Sequence, residues 1–179
     1  MDDIKNLARE ITIHPDVKMT LKEGNMTVKG PKGELTRRFF HPRVKIETGK
    51  DKVRAYSTKK GRFEKGLVGT WISHIGNMQK GVTEGFEYKM RIIYSHFPIK
   101  TSVKGDHLVI ENFLGERHPR RARIVEGVTA KISGDTVSLQ GTDKEKVGQT
   151  AANIEKASRV KGYDTRVFQD GIYLVSRGD

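Results

Sequence analysis

The sequence contains no cysteine, so neither a disulfide framework nor a thiolate metal site is open to it. It has few apolar side chains: 35% of residues are hydrophobic and 7% aromatic, which is thin for one large core and better suited to two small ones. No window approaches the roughly 18 consecutive apolar residues of a transmembrane helix. The opening Met1-Asp2-Asp3-Ile4-Lys5 is acidic and lacks an apolar stretch, so no secretory signal or transit peptide is expected there and the chain is expected to be intracellular and soluble. Acidic residues are in deficit as well, 22 against 34 Lys plus Arg, a formal net charge of +12. That excess points to a polyanionic partner and leaves the fold undetermined. Blocks of five or six like charges are missing too. Cations alternate with apolar residues, as in Lys18-Met19-Thr20-Leu21-Lys22, which places them on folded surfaces rather than on a disordered basic arm.

What is present is a repeat. Residues 17–38 align without a gap on residues 99–120 at an offset of 82. Val17-Lys18-Met19-Thr20-Leu21-Lys22 lies over Ile99-Lys100-Thr101-Ser102-Val103-Lys104, Met26-Thr27-Val28 over Leu108-Val109-Ile110, and Gly33-Glu34 over Gly115-Glu116. Both copies alternate apolar and polar residues at period two, the pattern of half-buried strands, and each has a turn signal between its first two strands. Two hairpins follow, Val44–Ala55 in the first copy and Val128–Leu139 in the second. Each leads into a helix. Over 62–78 the stripe is Phe63, Leu67, Trp71 and Ile75, widened by Val68 and Ile72; over 144–158 it is Val147, Ala151 and Ile154. Thr142 and Glu145 form a capping-box pattern at the second helix.

The expected fold is therefore α+β: two tandem, duplicated domains, each an antiparallel sheet with a helix packed on one face, spanning 1–82 and 83–179. The second copy is expected to carry extras. These are an entering strand at Tyr88–Tyr94 and a terminal hairpin in which Arg166–Gln169 and Ile172–Val175 flank Asp170-Gly171.

Catalytic and sequence-reading motifs do not emerge. Gly30-Pro31-Lys32-Gly33 lacks the Lys-Ser/Thr ending of a phosphate-binding P-loop. It matches the GxxG of KH domains, but that loop joins helices, and strand-like sequence on both sides here predicts a plain turn. None of the six histidines lies three or four residues from another, so no zinc pair is formed. There is no Gly-x-Ser-x-Gly elbow and no basic-aromatic strand for stacking single-stranded bases. A nuclease or RNA-modifying enzyme would need a clustered acid/base or metal constellation. A membrane-binding adaptor would need a cationic amphipathic helix with exposed aromatics, whereas Phe63 and Trp71 share the expected core stripe. No enzymatic activity, cofactor, metal, small-molecule substrate or membrane partner is expected. Recognition of folded RNA by shape and phosphate contact fits best.

Two cationic groups are the candidate contacts. Arg117, His118, Arg120, Arg121 and Arg123 crowd seven positions with no acid among them, and are expected on a loop or strand end. Arg159, Lys161, Arg166 and Arg177 are expected beside the C-terminal hairpin. The bland alternative is that these arginines face solvent or pair with Glu111, Glu116 and Glu126. Residues 1–82 hold 18 basic and 9 acidic residues and residues 83–179 hold 16 and 13, so the second half is favoured by concentration of charge, not by its total.

The stretch Val28-Lys29-Gly30-Pro31-Lys32-Gly33-Glu34-Leu35 resembles the first-domain signature of the family of large-subunit ribosomal protein six. Gly85-Phe86-Glu87-Tyr88-Lys89-Met90-Arg91 with Tyr94-Ser95-His96-Phe97-Pro98, Asn112–Glu116 and Arg166–Leu174 resemble its archaeal and eukaryotic branch, and the short N-terminus resembles the archaeal side. The resemblance covers essentially the whole chain. It implies two duplicated sheet-plus-helix domains and a structural role in the large ribosomal subunit of the cytoplasm. It also implies binding to large-subunit rRNA near the sarcin–ricin loop and stalk base, chiefly through the second domain, with neighbouring ribosomal proteins and translation factors close by. It implies no catalytic residue.

Overall fold

The computed structural model describes residues 8–59 and 61–178; the acidic opening segment 1–5 lies outside them. The described chain divides into two compact units that meet between Gly85 and Phe86.

The first unit holds six strands: β1 (Ala8–Thr12), β2 (Lys18–Lys22), β3 (Asn25–Gly30), β4 (Gly33–Arg38), β5 (Val44–Thr48) and β6 (Lys52–Ser57), followed by α1 (Arg62–Thr83). They form two three-stranded antiparallel sheets, β1-β6-β5 and β2-β3-β4, rather than one. Alternation drives the strands: Met26 and Val28 on β3, and Val53 and Ala55 on β6, are fully buried while their neighbours are not. Each large apolar side chain so buried contributes about 1.5–3 kcal/mol. Helix α1 packs against strands of both sheets and inserts Val68, Trp71, Ile75, Met78 and Val82 into the core, with Trp71 edge-on to Phe39 at 5.4 Å. The stripe is thus shifted from the expected one. Phe63 is 71% exposed, because 100° per residue carries it off the face centred on Trp71 and Ile75.

The second unit holds β7 (Phe86–Ile93), β8 (Lys100–Lys104), β9 (His107–Glu111), β10 (Arg120–Arg123), β11 (Val128–Ser133), β12 (Thr136–Gly141), α2 (Lys144–Ala157) and β13 (Gly171–Ser176). Its sheets are β10-β9-β8 and β11-β12-β7-β13, again with the helix packed on both. A separate core of Tyr88, Met90, Leu108, Ile110, Leu139 and Ile154, among others, fills it. Asp143, one residue beyond the expected Thr142, caps α2 by accepting the Glu145 N–H at 2.9 Å.

Strand registers make the duplication explicit. The pair Lys18↔Lys29 recurs as Lys100↔Glu111, and Val44↔Ser57 recurs as Val128↔Gly141. Ala8 opposite Tyr56 corresponds to Glu87 opposite Gln140, so β7 is the counterpart of β1 and no addition. Among the strands of the described residues only β13 is extra, and it pairs with β7 on the side away from β12. The expected terminal hairpin does not form. Arg166–Gln169 is a turn followed by irregular chain, and buried Asp170 takes the Ser95 N–H at 3.0 Å instead of closing a two-residue loop.

The gapless alignment fails at one place. Val28 stands opposite Leu35, whereas its counterpart Ile110 stands opposite Arg120. The offset is 82 on the first strand and 85 on the second, so three residues have entered between β9 and β10. Gly115-Glu116 is therefore not the counterpart of Gly33-Glu34; both belong to the inserted loop. In the first copy Pro31-Lys32 close a minimal turn as expected. That turn sits on the end of α1: the Lys32 N–H donates to the Val82 carbonyl at 2.8 Å and its ammonium to that of Glu84. A Cβ on Gly30 would lie 2.8 Å from the Val82 carbonyl oxygen, so glycine is needed for this approach.

Candidate nucleic-acid interface

Strand β10 sorts the arginine cluster by its period of two. Arg120 and Ala122 turn inward toward α2, while Arg121 and Arg123 turn outward and are exposed. Arg121 stands opposite Val109 and Arg123 opposite His107. Arg117 and His118, in the loop before the strand, are exposed as well.

Arg120 behaves differently from its neighbours. Its Nε donates to Glu116 Oε2 at 2.8 Å and its Nη2 to Glu116 Oε1 at 2.5 Å, a bidentate fork. Its Nη1 donates to the carbonyls of Ala157 at 3.0 Å and Arg159 at 2.8 Å, beyond the last turn of α2. The guanidinium carbon lies 4.1 Å from the centre of the Phe113 ring. Four of its five N–H donors are consumed and one face of the guanidinium is covered by Phe113, in a side chain only 19% exposed. The fork also holds the Glu116 carboxyl below its usual range. Four donors spent within the fold set Arg120 apart from the exposed arginines beside it.

The platform that captures Arg120 is the three-residue insertion itself. The loop makes a 3-10 turn at Phe113–Gly115, with Asn112 and Leu114 in the left-handed region at φ 60° and 50°. The Asn112 amide donates to the Pro98 carbonyl at 3.1 Å, and Phe113 and Leu114 are buried. In the sequence Phe113 stands out only as part of the Asn112–Glu116 motif. Glu116 was weighed only as a possible partner, although it stands four residues before Arg120. Past Arg120, the Asn153 amide of α2 donates to the Arg123 carbonyl at the end of β10 at 3.0 Å, and the Val125 N–H, two residues further on, donates to Thr150 Oγ1 at 3.1 Å.

The second cationic group is divided. Arg159 follows the end of α2, where its carbonyl accepts from Arg120 Nη1, so it is held at the start of β10; Lys161 follows, exposed. Arg166 forms its own fork with Asp164, Nε to Oδ1 at 3.1 Å and Nη2 to Oδ2 at 2.9 Å, which lowers the Asp164 pKa and raises that of Arg166. Its charge is locally offset. Arg177 follows the far end of β13. Ile172, at the near end, donates its N–H to Ser158 Oγ at 3.0 Å, which leaves about 16 Å of extended strand between the α2 terminus and Arg177. Arg177 is not gathered with Arg159.

Among the described residues no group of three His, Asp or Glu side chains could hold a metal ion, and no helix is long and apolar enough to cross a membrane.

The model of the ribosomal protein L6 family matches this chain twice, over residues 9–85 and 97–171. The chain belongs to the ribosomal protein L6 family. Each match falls within one of the two units of the fold, so the family model, like the strand registers, finds the repeat twice in this chain; the second match begins after β7. Its relatives include the large ribosomal subunit protein uL6 of Methanococcus vannielii, 48% identical over 96% of this chain and 94% of that one. That of Methanothrix thermoacetophila is 45% identical over 97% and 99%, and that of Methanospirillum hungatei 47% identical over 96% and 97%. The chain is of the archaeal type within the family.

Proposed function

We propose that this chain is a structural constituent of the large ribosomal subunit that binds large-subunit rRNA through the outer face of β10. L6 is a structural, non-enzymatic family, and its relatives are named as large-subunit proteins. The reading puts the chain in the cytoplasm, within that particle. The observation that carries the RNA contact is the Arg120 strap. By spending its own donors on Glu116, Ala157 and Arg159, Arg120 fixes β10 to the end of α2, leaving Arg121 and Arg123 outward and Arg159 close by. Arg117, His118, Arg121, Arg123, Arg159 and Lys161 then face the RNA backbone; Arg166 and Arg177 lie outside this group. Phosphate neutralisation supplies affinity, and the fixed spacing of the cations supplies selectivity for one folded shape. The docking place is the region of the sarcin–ricin loop and stalk base, where the chain supports the surface used by translation factors beside neighbouring ribosomal proteins.

The test is a salt titration of binding to a folded large-subunit rRNA fragment. Arg121→Ala plus Arg123→Ala should weaken binding and lower the salt slope by about two. Equal affinity and slope for wild type and variant would remove β10 from the interface.

A further inference from the structure

A second cationic feature, apart from β10, is a groove on the first unit. It has a volume of about 590 Å³ and runs along the solvent side of α1 beside β1. Arg9, Arg62 and Lys65 line it, and none of the described residues lining it is acidic. The nearby carboxylates are turned away. Glu64 is buried against Arg43 at 3.1 Å, and Glu10, on the opposite face of β1 from Arg9, pairs with Lys52 and Arg54. Among the described residues no carboxylate faces the cations where the groove opens.

The floor is cleared of side chains. Gly66 and Gly69 lie one helical turn apart, and Thr70 and Ser73 turn their hydroxyls back onto the carbonyls of Gly66 and Gly69, both at 3.0 Å. Gly69 has an internal reason, since a Cβ there would lie 3.2 Å from the Arg9 guanidinium, which rests on the helix at that point. Gly66 has none. A Cβ at Gly66 would meet nothing within 4 Å, and its φ is not in the left-handed region. Glycine inside a helix is costly relative to alanine, so the fold alone gives no account of it. A surface that must be approached to backbone distance does. The inward-donating hydroxyls leave their oxygen lone pairs facing outward, as acceptors between the cations.

We propose that this groove is a second rRNA contact, in which a ribose–phosphate strand lies across α1 at Gly66. Phosphates sit on Arg9, Arg62 and Lys65, and ribose hydroxyls donate to Thr70 and Ser73. This rests on the ribosomal reading above. An acidic protein segment would satisfy the cations but has no use for acceptor hydroxyls between them, so RNA is the occupant the groove fits.

Two measurements test it. Gly66→Gln introduces a good helix former into open space. It should raise the melting temperature of the intact chain while weakening binding to deproteinised large-subunit rRNA several-fold. An affinity unchanged from wild type would overturn the proposal. The second uses the absence of cysteine: Ser73→Cys, carrying a photo-crosslinker, is incorporated into large subunits beside an Arg123→Cys control. A cross-link from position 73 to rRNA supports the groove. A cross-link to protein, or none while position 123 still reaches RNA, overturns it and leaves the β10 reading standing. A chain that never enters large subunits sinks both.

Discussion

The guanidinium of Arg120 is stacked 4.1 Å from the ring centre of Phe113, a residue contributed by a loop that the first unit lacks. Two adjacent arginines on one strand consequently have opposite tasks. Arg120→Ala should destabilise the second unit by about 2–4 kcal/mol, because it leaves the Ala157 and Arg159 carbonyls without their donor and strips the Phe113 face. Arg121→Ala should change stability by less than about 0.5 kcal/mol. Denaturant unfolding of the two variants reads the difference, and equal losses would contradict the division.

The Glu116–Arg120 fork also sets a pH dependence. Its carboxyl titrates below the usual range when folded and near about 4.3 when unfolded. A depressed folded pKa contributes stability that is fully present above the unfolded pKa and lost as pH falls through the folded one. Unfolding free energies of wild type and Glu116→Gln should therefore differ most near neutrality and converge as the pH drops below about 4. A gap that stays constant down to pH 3 would show that the ionised form is not what matters.

Helix α1 offers a contrast between two aromatics on one element. Trp71 is buried against Phe39, whereas Phe63 is 71% exposed. Trp71→Ala should cost about 3–5 kcal/mol in the first unit. Phe63→Ala should stay within about 0.5 kcal/mol. Comparable losses at the two positions would restore the stripe expected from sequence.

At the other end of that helix, Gly30→Val should destabilise the first unit by about 1–3 kcal/mol, because the new Cβ would meet Val82 backbone as well as its side chain. Differential scanning calorimetry of the full chain should show the first unit's transition moving down while the second unit's transition holds.

Much of this architecture could be read beforehand because period-two alternation and a fixed offset survive any loss of identity. Met26 and Val28 alternate as Leu108 and Ile110 do, whatever surrounds them. β1 escaped notice because it is five residues long with two charged side chains, Arg9 and Glu10. The Phe63 error came from stepping by four residues, which drifts around a helix of 3.6 per turn. The candidate site was read by composition alone, and composition cannot say where a guanidinium's donors go. Arg120 and Arg121 are adjacent residues of one type, and the pleat is what turns them to opposite faces. Arg177 was grouped with Arg159 on nearness in sequence to β13, without counting the length of the strand between.

The insertion between β9 and β10 has a further consequence for how the two halves could diverge. A hairpin tip lies at the rim of its sheet, so three residues entered there without altering the register of β8 with β9 or of β11 with β12. In the first half the same tip is closed to such change, since Gly30 and Lys32 rest against the last turn of α1. One half keeps its tip sealed by its own helix. In the other, the corresponding tip was free to lengthen and became the clamp that arms a strand. Grafted peptides should accordingly be tolerated between Asn112 and Pro119 only where Phe113 and Glu116 are kept, and refused between Gly30 and Gly33.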